Sequence, residues 1–168
     1  VFVGPVGPYF KEGFKPVKVQ IARDFDRAAP LGTGIFKVGG NYAASLRAGV
    51  RAHAEGYSAA LFLDAREKKY IDEAGPANFF GIKNNTYVTP KSVSILPSIT
   101  NMSLRQLALD LGLSVEERAI PVEELESFEE VGACGTAAVI SPICAIDDRE
   151  NDVIYTYCKD GNAGPIST

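Results

Sequence analysis

Apolar and polar positions recur along this chain with two different periods, and the places where one period gives way to the other mark its elements. Val17 to Arg23 concentrates β-branched residues and reads as a strand. Asn41 then stands where a helix cap belongs: Tyr42, Leu46, Val50 and Ala54 recur every four positions until Gly56, the spacing of an apolar helical stripe with a glycine stop. Ala59 to Leu63 is a continuous apolar run, the pattern of a buried strand. The polar stretch Asp64-Ala65-Arg66-Glu67-Lys68-Lys69 predicts a hairpin turn ahead of a strand from Asn78 to Ile82. Lys83-Asn84-Asn85-Thr86 predicts a second turn before Tyr87-Val88-Thr89. Met102 to Leu111 predicts a second helix, with Leu104, Leu107, Ala108 and Leu111 on one face and Gly112 at its end. Beyond it lie a strand Val115 to Ala119, a short acidic helix Val122 to Ser127, and strands near Val131 to Cys134, Ala137 to Ile140 and Val153 to Tyr157. Hairpins with interspersed helices predict an α+β fold, a mixed and partly antiparallel sheet or barrel with flanking helices.

Composition narrows the function classes. The chain has 168 residues, 46% apolar and 23% charged, enough for one domain with a real core. Its net charge is −4 and its basic residues never gather into a stripe, which argues against a nucleic-acid partner. No apolar run approaches the roughly 18 residues of a membrane span. Val1 to Phe10 lacks the charged and small-residue pattern of a signal peptide, so the expectation is a cytoplasmic protein without membrane association. Cys134, Cys144 and Cys158 are odd in number and lack CxxC spacing, so they read as reduced, packed thiols. The one histidine, His53, reads as a helix-surface residue, and a metal site is hard to assemble around it. The chain opens on Val1, already inside the apolar segment Val1-Phe2-Val3-Gly4-Pro5-Val6-Gly7-Pro8-Tyr9-Phe10, as a fragment of a longer protein would.

Four segments carry candidate chemistry. Lys37 sits among glycines in Gly32-Thr33-Gly34-Ile35-Phe36-Lys37-Val38-Gly39-Gly40-Asn41-Tyr42. Glycines let backbone approach a ligand, and a lysine held away from water is suited to bond a carbonyl carbon; a solvated loop charge is the plainer alternative. Ser94-Ile95-Leu96-Pro97-Ser98-Ile99-Thr100 runs into the second helix. The N–H groups of Ile99 and Thr100 in its first turn lack intrahelical partners and suit a phosphate, although an ordinary Ser-capped helix has the same pattern. Gly132-Ala133-Cys134-Gly135-Thr136-Ala137-Ala138 places small residues between two strands, where the Thr136 and Ala137 amides can bind an oxyanion or simply form a tight bend. Ile71-Asp72-Glu73-Ala74-Gly75-Pro76-Ala77-Asn78-Phe79-Phe80 puts two acids before an apolar strand, and by pattern alone it is a solvated turn.

In order and spacing, these segments resemble the branched-chain amino acid aminotransferases, fold-type IV pyridoxal phosphate enzymes. The resemblance is carried by Gly-Thr-Gly-x-x-Lys-x-Gly-Gly-Asn-Tyr, Glu-Ala-Gly-x-x-Asn-Phe-Phe, Leu-Pro-x-Ile-Thr and Gly-Thr-Ala-Ala, and it extends to Pro5-Val6-Gly7-Pro8-Tyr9 and Asp26-Arg27-Ala28. It implies that Lys37 bonds pyridoxal 5'-phosphate and moves the proton at the substrate Cα. Glu73 would lie against the ring nitrogen with Asp72 its solvated neighbour, Tyr42 would face the ring's phenolic oxygen, and Arg27 would support the site. Ile99, Thr100 and Thr136 would hold the phosphate, while the Thr136 and Ala137 amides would take the substrate's α-carboxylate. It also implies a C-terminal cofactor-binding domain of a longer two-domain enzyme, a homodimer exchanging amino groups between branched-chain L-amino acids and 2-oxoglutarate. The missing N-terminal domain would leave this piece weakly active or inactive.

Two departures stand out: Ser98 and Asn101 occupy positions where family members often carry glycine and arginine. Ala138 and Ser141 replace the CxxC of mammalian members, so no thiol switch is expected. D-amino acid aminotransferases and aminodeoxychorismate lyases of the same fold type share the lysine and the glutamate and remain an alternative. A non-catalytic module that keeps the fold is another, opposed by the intact set Lys37, Tyr42, Glu73 and Thr136.

Overall fold

A computed structural model describes residues 3–5, 15–158 and 161–167; the Val6-Gly7-Pro8-Tyr9 part of the resemblance lies outside them. The strands are β1 (Val17–Ala22), β2 (Ala59–Leu63), β3 (Ile71–Ala74), β4 (Ala77–Lys83), β5 (Thr86–Pro90), β6 (Ser114–Arg118), β7 (Glu130–Gly135), β8 (Val139–Asp148) and β9 (Val153–Thr156). The helices are α1 (Gly39–Ala54), α2 (Ile99–Asp110) and a short 3-10 helix Val122–Ser127. Strands β3-β2-β1-β8-β7-β4 lie side by side, and β4 pairs back onto β3, which closes the sheet into a barrel. Strands β5 and β6 extend the sheet beyond β4, and β9 pairs with β8. Parallel pairs β1–β2, β1–β8 and β5–β6 are mixed with antiparallel ones, so the expected mixed sheet and barrel are present together.

Alternation along the strands sorts side chains to two faces. Val19, Ile21, Leu61, Leu63, Phe79, Val131, Ile143 and Ile146 fill one core cluster. Their neighbours Ala22, Ala60 and Phe62 face α1, while Phe80, Ile82 and Cys134 face α2. The turn between β4 and β5 is Asn84-Asn85, both at positive φ of 48° and 56°, which matches the right-handed twist of a two-residue hairpin.

Helix α1 corrects one expectation. It starts at Gly39 with Val38 at the cap position and no side-chain cap, so Asn41 is not its cap. Its Tyr42, Leu46 and Val50 stripe is exposed at 41, 64 and 61%. Ala48 and Ala52 face the sheet instead, against Ala22, Ala60 and Phe62. The physical reason is distance: with Phe62 standing up from the sheet, methyl side chains let the helix approach closely, and the larger residues point away. Helix α2 begins earlier than expected, at Ile99, and ends at Asp110, with Leu111 as its cap and Gly112 just beyond at φ 84°, the stop its glycine predicted. Residues 136–138 form the turn between β7 and β8, so the strand expected at Ala137 to Ile140 starts at Val139 and runs to Asp148. The supposed turn at Ile71 to Ala74 is a buried strand, β3. His53 is exposed, Cys134 is buried, and Cys144 and Cys158 are half-buried free thiols.

Candidate active site

The loop after β1, strand β3 and the segment entering α2 converge on Glu73. Strand β3 buries Glu73 to 3% exposure. One of its oxygens, Oε1, accepts from the Leu96 amide at 3.0 Å and from Asn78 Nδ2 at 3.2 Å. The other lies 2.9 Å from Arg27 Nε, an ion pair in which that N–H is not aimed for a hydrogen bond. Arg27 is itself buried and held by carbonyls, its Nη2 donating to Gly34 O at 3.2 Å and to Ser94 O. Burial pushes the Glu73 carboxyl up to about 7, against the pull of Arg27 and the Leu96 amide; Asp72 raises it and Lys37 lowers it. One guanidinium therefore does not fully compensate this buried acid, and a second cation placed against it would be welcome.

Lys37 is exposed, yet close enough for its charge to act on Glu73. The expectation of a lysine already held away from water is not met in this chain. What fixes its loop is Asn41, whose Nδ2 donates to Thr33 O and to Phe36 O, both at 2.8 Å, while its Oδ1 accepts from Thr33 Oγ1 at 2.9 Å. Buried at 7%, Asn41 staples the residue before Lys37 to the first turn of α1. Tyr42, next in sequence, is exposed on the outer side of that turn.

At the start of α2, Ser98 Oγ accepts from the Asn101 amide at 3.2 Å. The cap thus satisfies the third amide of the helix and leaves those of Ile99 and Thr100, the donors expected to bind phosphate. Asn101 does not reach outward as an arginine would. It accepts from Tyr87 Oη at 2.8 Å and donates to Thr89 Oγ1 at 3.0 Å, locking the helix entrance onto β5. Thr136 and Ala137 are exposed at the β7–β8 turn, followed by Val139 at a positive φ of 53°.

Sequence reasoning misread Asp72, which is 4% exposed rather than solvated, because two acids before a glycine look like turn chemistry. It gave no role to Asn78, although an amide at the head of the apolar run Phe79-Phe80 is the kind of residue that pattern leaves unexplained. Among the described residues no group of three or more His, Cys, Asp or Glu side chains is placed to hold a metal ion.

A barrel of mixed strands thus brings the lysine loop, through Arg27, and the segment entering α2 onto one buried glutamate. Residues 15–146 match the family model for amino-transferase class IV, and the chain belongs to that family. It is 50% identical over 165 residues to a branched-chain-amino-acid aminotransferase of Helicobacter pylori, covering 96% of this chain and 48% of that protein. Among solved structures it is similar to the branched-chain amino acid aminotransferase of Escherichia coli, with TM-score 0.85, 33% identity and coverage of 98% of this chain and 52% of the other. It is also similar to that of Thermobaculum terrenum in its PLP form, with TM-score 0.79, 31% identity and coverage of 93% and 48%. The chain spans about half the length of the relatives it matches.

Proposed function

We propose that this chain is the cofactor-binding half of a pyridoxal phosphate-dependent branched-chain aminotransferase, exchanging amino groups between branched-chain L-amino acids and 2-oxoglutarate. The observation that carries the reading is the buried Glu73, short of one cation, with the Lys37 amine near enough to feel its charge. The donor set fits the cofactor: a protonated ring nitrogen is the cation Glu73 needs, and a phosphate matches the two leftover amides of α2. Pyridoxal phosphate, when bound, supplies a carbonyl carbon for the amine and a ring that withdraws electrons from the substrate Cα.

The chain's own residues supply the rest. The Lys37 amine holds the cofactor and, when free, moves the proton at the substrate Cα. Glu73 keeps the ring nitrogen protonated, and Arg27, gripped by two carbonyls, keeps Glu73 in place. Tyr42 orients the ring through its phenolic oxygen. Ile99 and Thr100 bind the phosphate, aided by the Thr136 hydroxyl, and the Thr136 and Ala137 amides receive the α-carboxylate. The names of the relatives, over nearly the whole of this chain, favour this reading above a D-amino acid aminotransferase, an aminodeoxychorismate lyase or a non-catalytic module. A homodimeric parent in the cytoplasm belongs to the same reading; among the described residues no helix is long and apolar enough to cross a membrane.

Addition of pyridoxal phosphate followed by borohydride reduction and peptide mapping tests the site. The expected label is on Lys37, and Glu73→Gln should weaken it. Label spread over exposed lysines such as Lys18 and Lys91 would overturn the assignment. With leucine and 2-oxoglutarate the 168 residues alone should turn over weakly or not at all.

A further inference from the structure

Asp72 is a buried acid that the mechanism above does not use. It stands next to Glu73 on β3, and strand geometry turns the two side chains to opposite faces. Its Oδ2 accepts from Ser94 Oγ at 2.7 Å, while Oδ1 is buried without a hydrogen-bond partner among the described residues. Burial pushes its pKa up, and the Ser94 and Ser92 hydroxyls and the charge of Arg27 pull it back. A strand needing only to fill space would carry an apolar residue here and avoid leaving a carboxylate oxygen unsatisfied.

Ser94 is the junction that gives this acid a purpose. Its hydroxyl reaches Asp72 and also shares a hydrogen bond with Ser92 Oγ at 2.7 Å. Its carbonyl accepts from Arg27 Nη2, which also donates to Gly34 O at 3.2 Å. Gly34 packs so tightly on the Ser94 backbone that a Cβ there would overlap it. Two residues on, the Leu96 amide donates to Glu73 at 3.0 Å. One short segment therefore touches the lysine loop, the arginine and the glutamate, and Asp72 is the group that grips it from behind.

We propose that Asp72 is a positioning residue: by holding Ser94 it fixes Arg27 against Glu73 and sets the Gly34-to-Lys37 loop over the Glu73 strand. The proposal rests on the cofactor reading above for its functional meaning, but the contacts it concerns exist without the cofactor. Asp72→Ala and Ser94→Ala break the grip, whereas Asp72→Asn keeps an acceptor oxygen for the Ser94 hydroxyl.

Two readouts test it on the chain. The first is guanidinium NMR without cofactor, in which Arg27 Nη hydrogen exchange should accelerate on the order of tenfold or more in Asp72→Ala and Ser94→Ala and stay near wild type in Asp72→Asn. The second is the pyridoxal phosphate concentration needed to label Lys37 by reductive trapping, which should rise by a similar factor in the first two variants and recover in the third. A purely structural acid would lower the thermal midpoint yet leave both readouts unchanged in the folded protein, and that result overturns the proposal. Ser94→Ala, which removes a single hydroxyl, keeps the test decisive where Asp72→Ala fails to fold. If Lys37 is not labelled even in the full-length parent, the cofactor reading falls, and Arg27 exchange still decides whether Asp72 positions it.

Discussion

Glu73 makes the stability of the cofactor-free chain depend on pH in a direction opposite to most carboxylates. Its carboxyl is raised from 4.5 to about 7, so between those values the folded state binds a proton that the unfolded state has already lost. Stability from this group is therefore highest below about pH 4.5 and falls as pH rises toward 7. A shift of about 2.5 units corresponds to roughly 3 kcal/mol, spent gradually across that window and constant above it. Asp72, also raised, acts in the same direction. Asp64 and Asp148, both lowered, act oppositely and mainly at more acid pH. The measurement that isolates Glu73 is a difference: urea unfolding of wild type and Glu73→Gln at a series of pH values from about 5 to about 8. Wild type should lose on the order of 2 to 3 kcal/mol relative to the variant across the series. Pyridoxal phosphate should flatten the wild-type curve by giving the carboxylate its second cation. A difference independent of pH would refute the claim that burial outweighs Arg27 at this site.

Val139, exposed at the first position of β8, carries a β-branched side chain at φ 53°. Val139→Gly should raise the unfolding free energy by about 1 kcal/mol, read by thermal or urea unfolding, and a loss would show that the Val139 side chain contributes more than its backbone strain costs. Gly34→Ala should be destabilising and should lower Lys37 labelling, because the added methyl displaces the Ser94 backbone that receives Arg27. Labelling at the wild-type level would contradict this.

The sequence was legible where one physical rule decided the outcome. Asn84-Asn85 had to turn, Gly112 had to end a helix, and Ala59 to Leu63 had to be buried. It was misleading where two rules competed. Asp72 and Glu73 look like solvent-facing turn residues because a buried acid is costly, and local pattern has no access to Arg27, 46 positions away, or to the Leu96 amide that offset the cost. Asn41 looked like a cap because caps are the commonest use of asparagine before a helix; its real partners, Thr33 and Phe36, lie upstream in a loop without periodicity. The α1 stripe shows a helical period and nothing more. Spacing finds a face but does not say what covers it. The residues needed to recognise the site came through the motifs, which record spatial neighbours that pattern reasoning treats one at a time.

The exposure of α1 and the exposure of Lys37 have a common explanation under the proposed function. Ile35, Phe36, Val38 and Tyr42 flank Lys37 in sequence, and all are at least 39% exposed. A monomer gains nothing from leaving such side chains wet, and the proposed chemistry gains much from excluding water around the amine and the carboxylate. An upstream half of the enzyme laid over this loop would do both at once: covering the four side chains provides the hydrophobic driving force, and the same contact removes solvent from Lys37. Glu73 differs because its strand and Arg27 already bury it in this chain. Under the proposed function the acid end of the site would be preorganised within this domain and the amine end completed by that upstream half, so Glu73 should titrate near 7 in the isolated chain and Lys37 should acquire its working environment only in the complete enzyme.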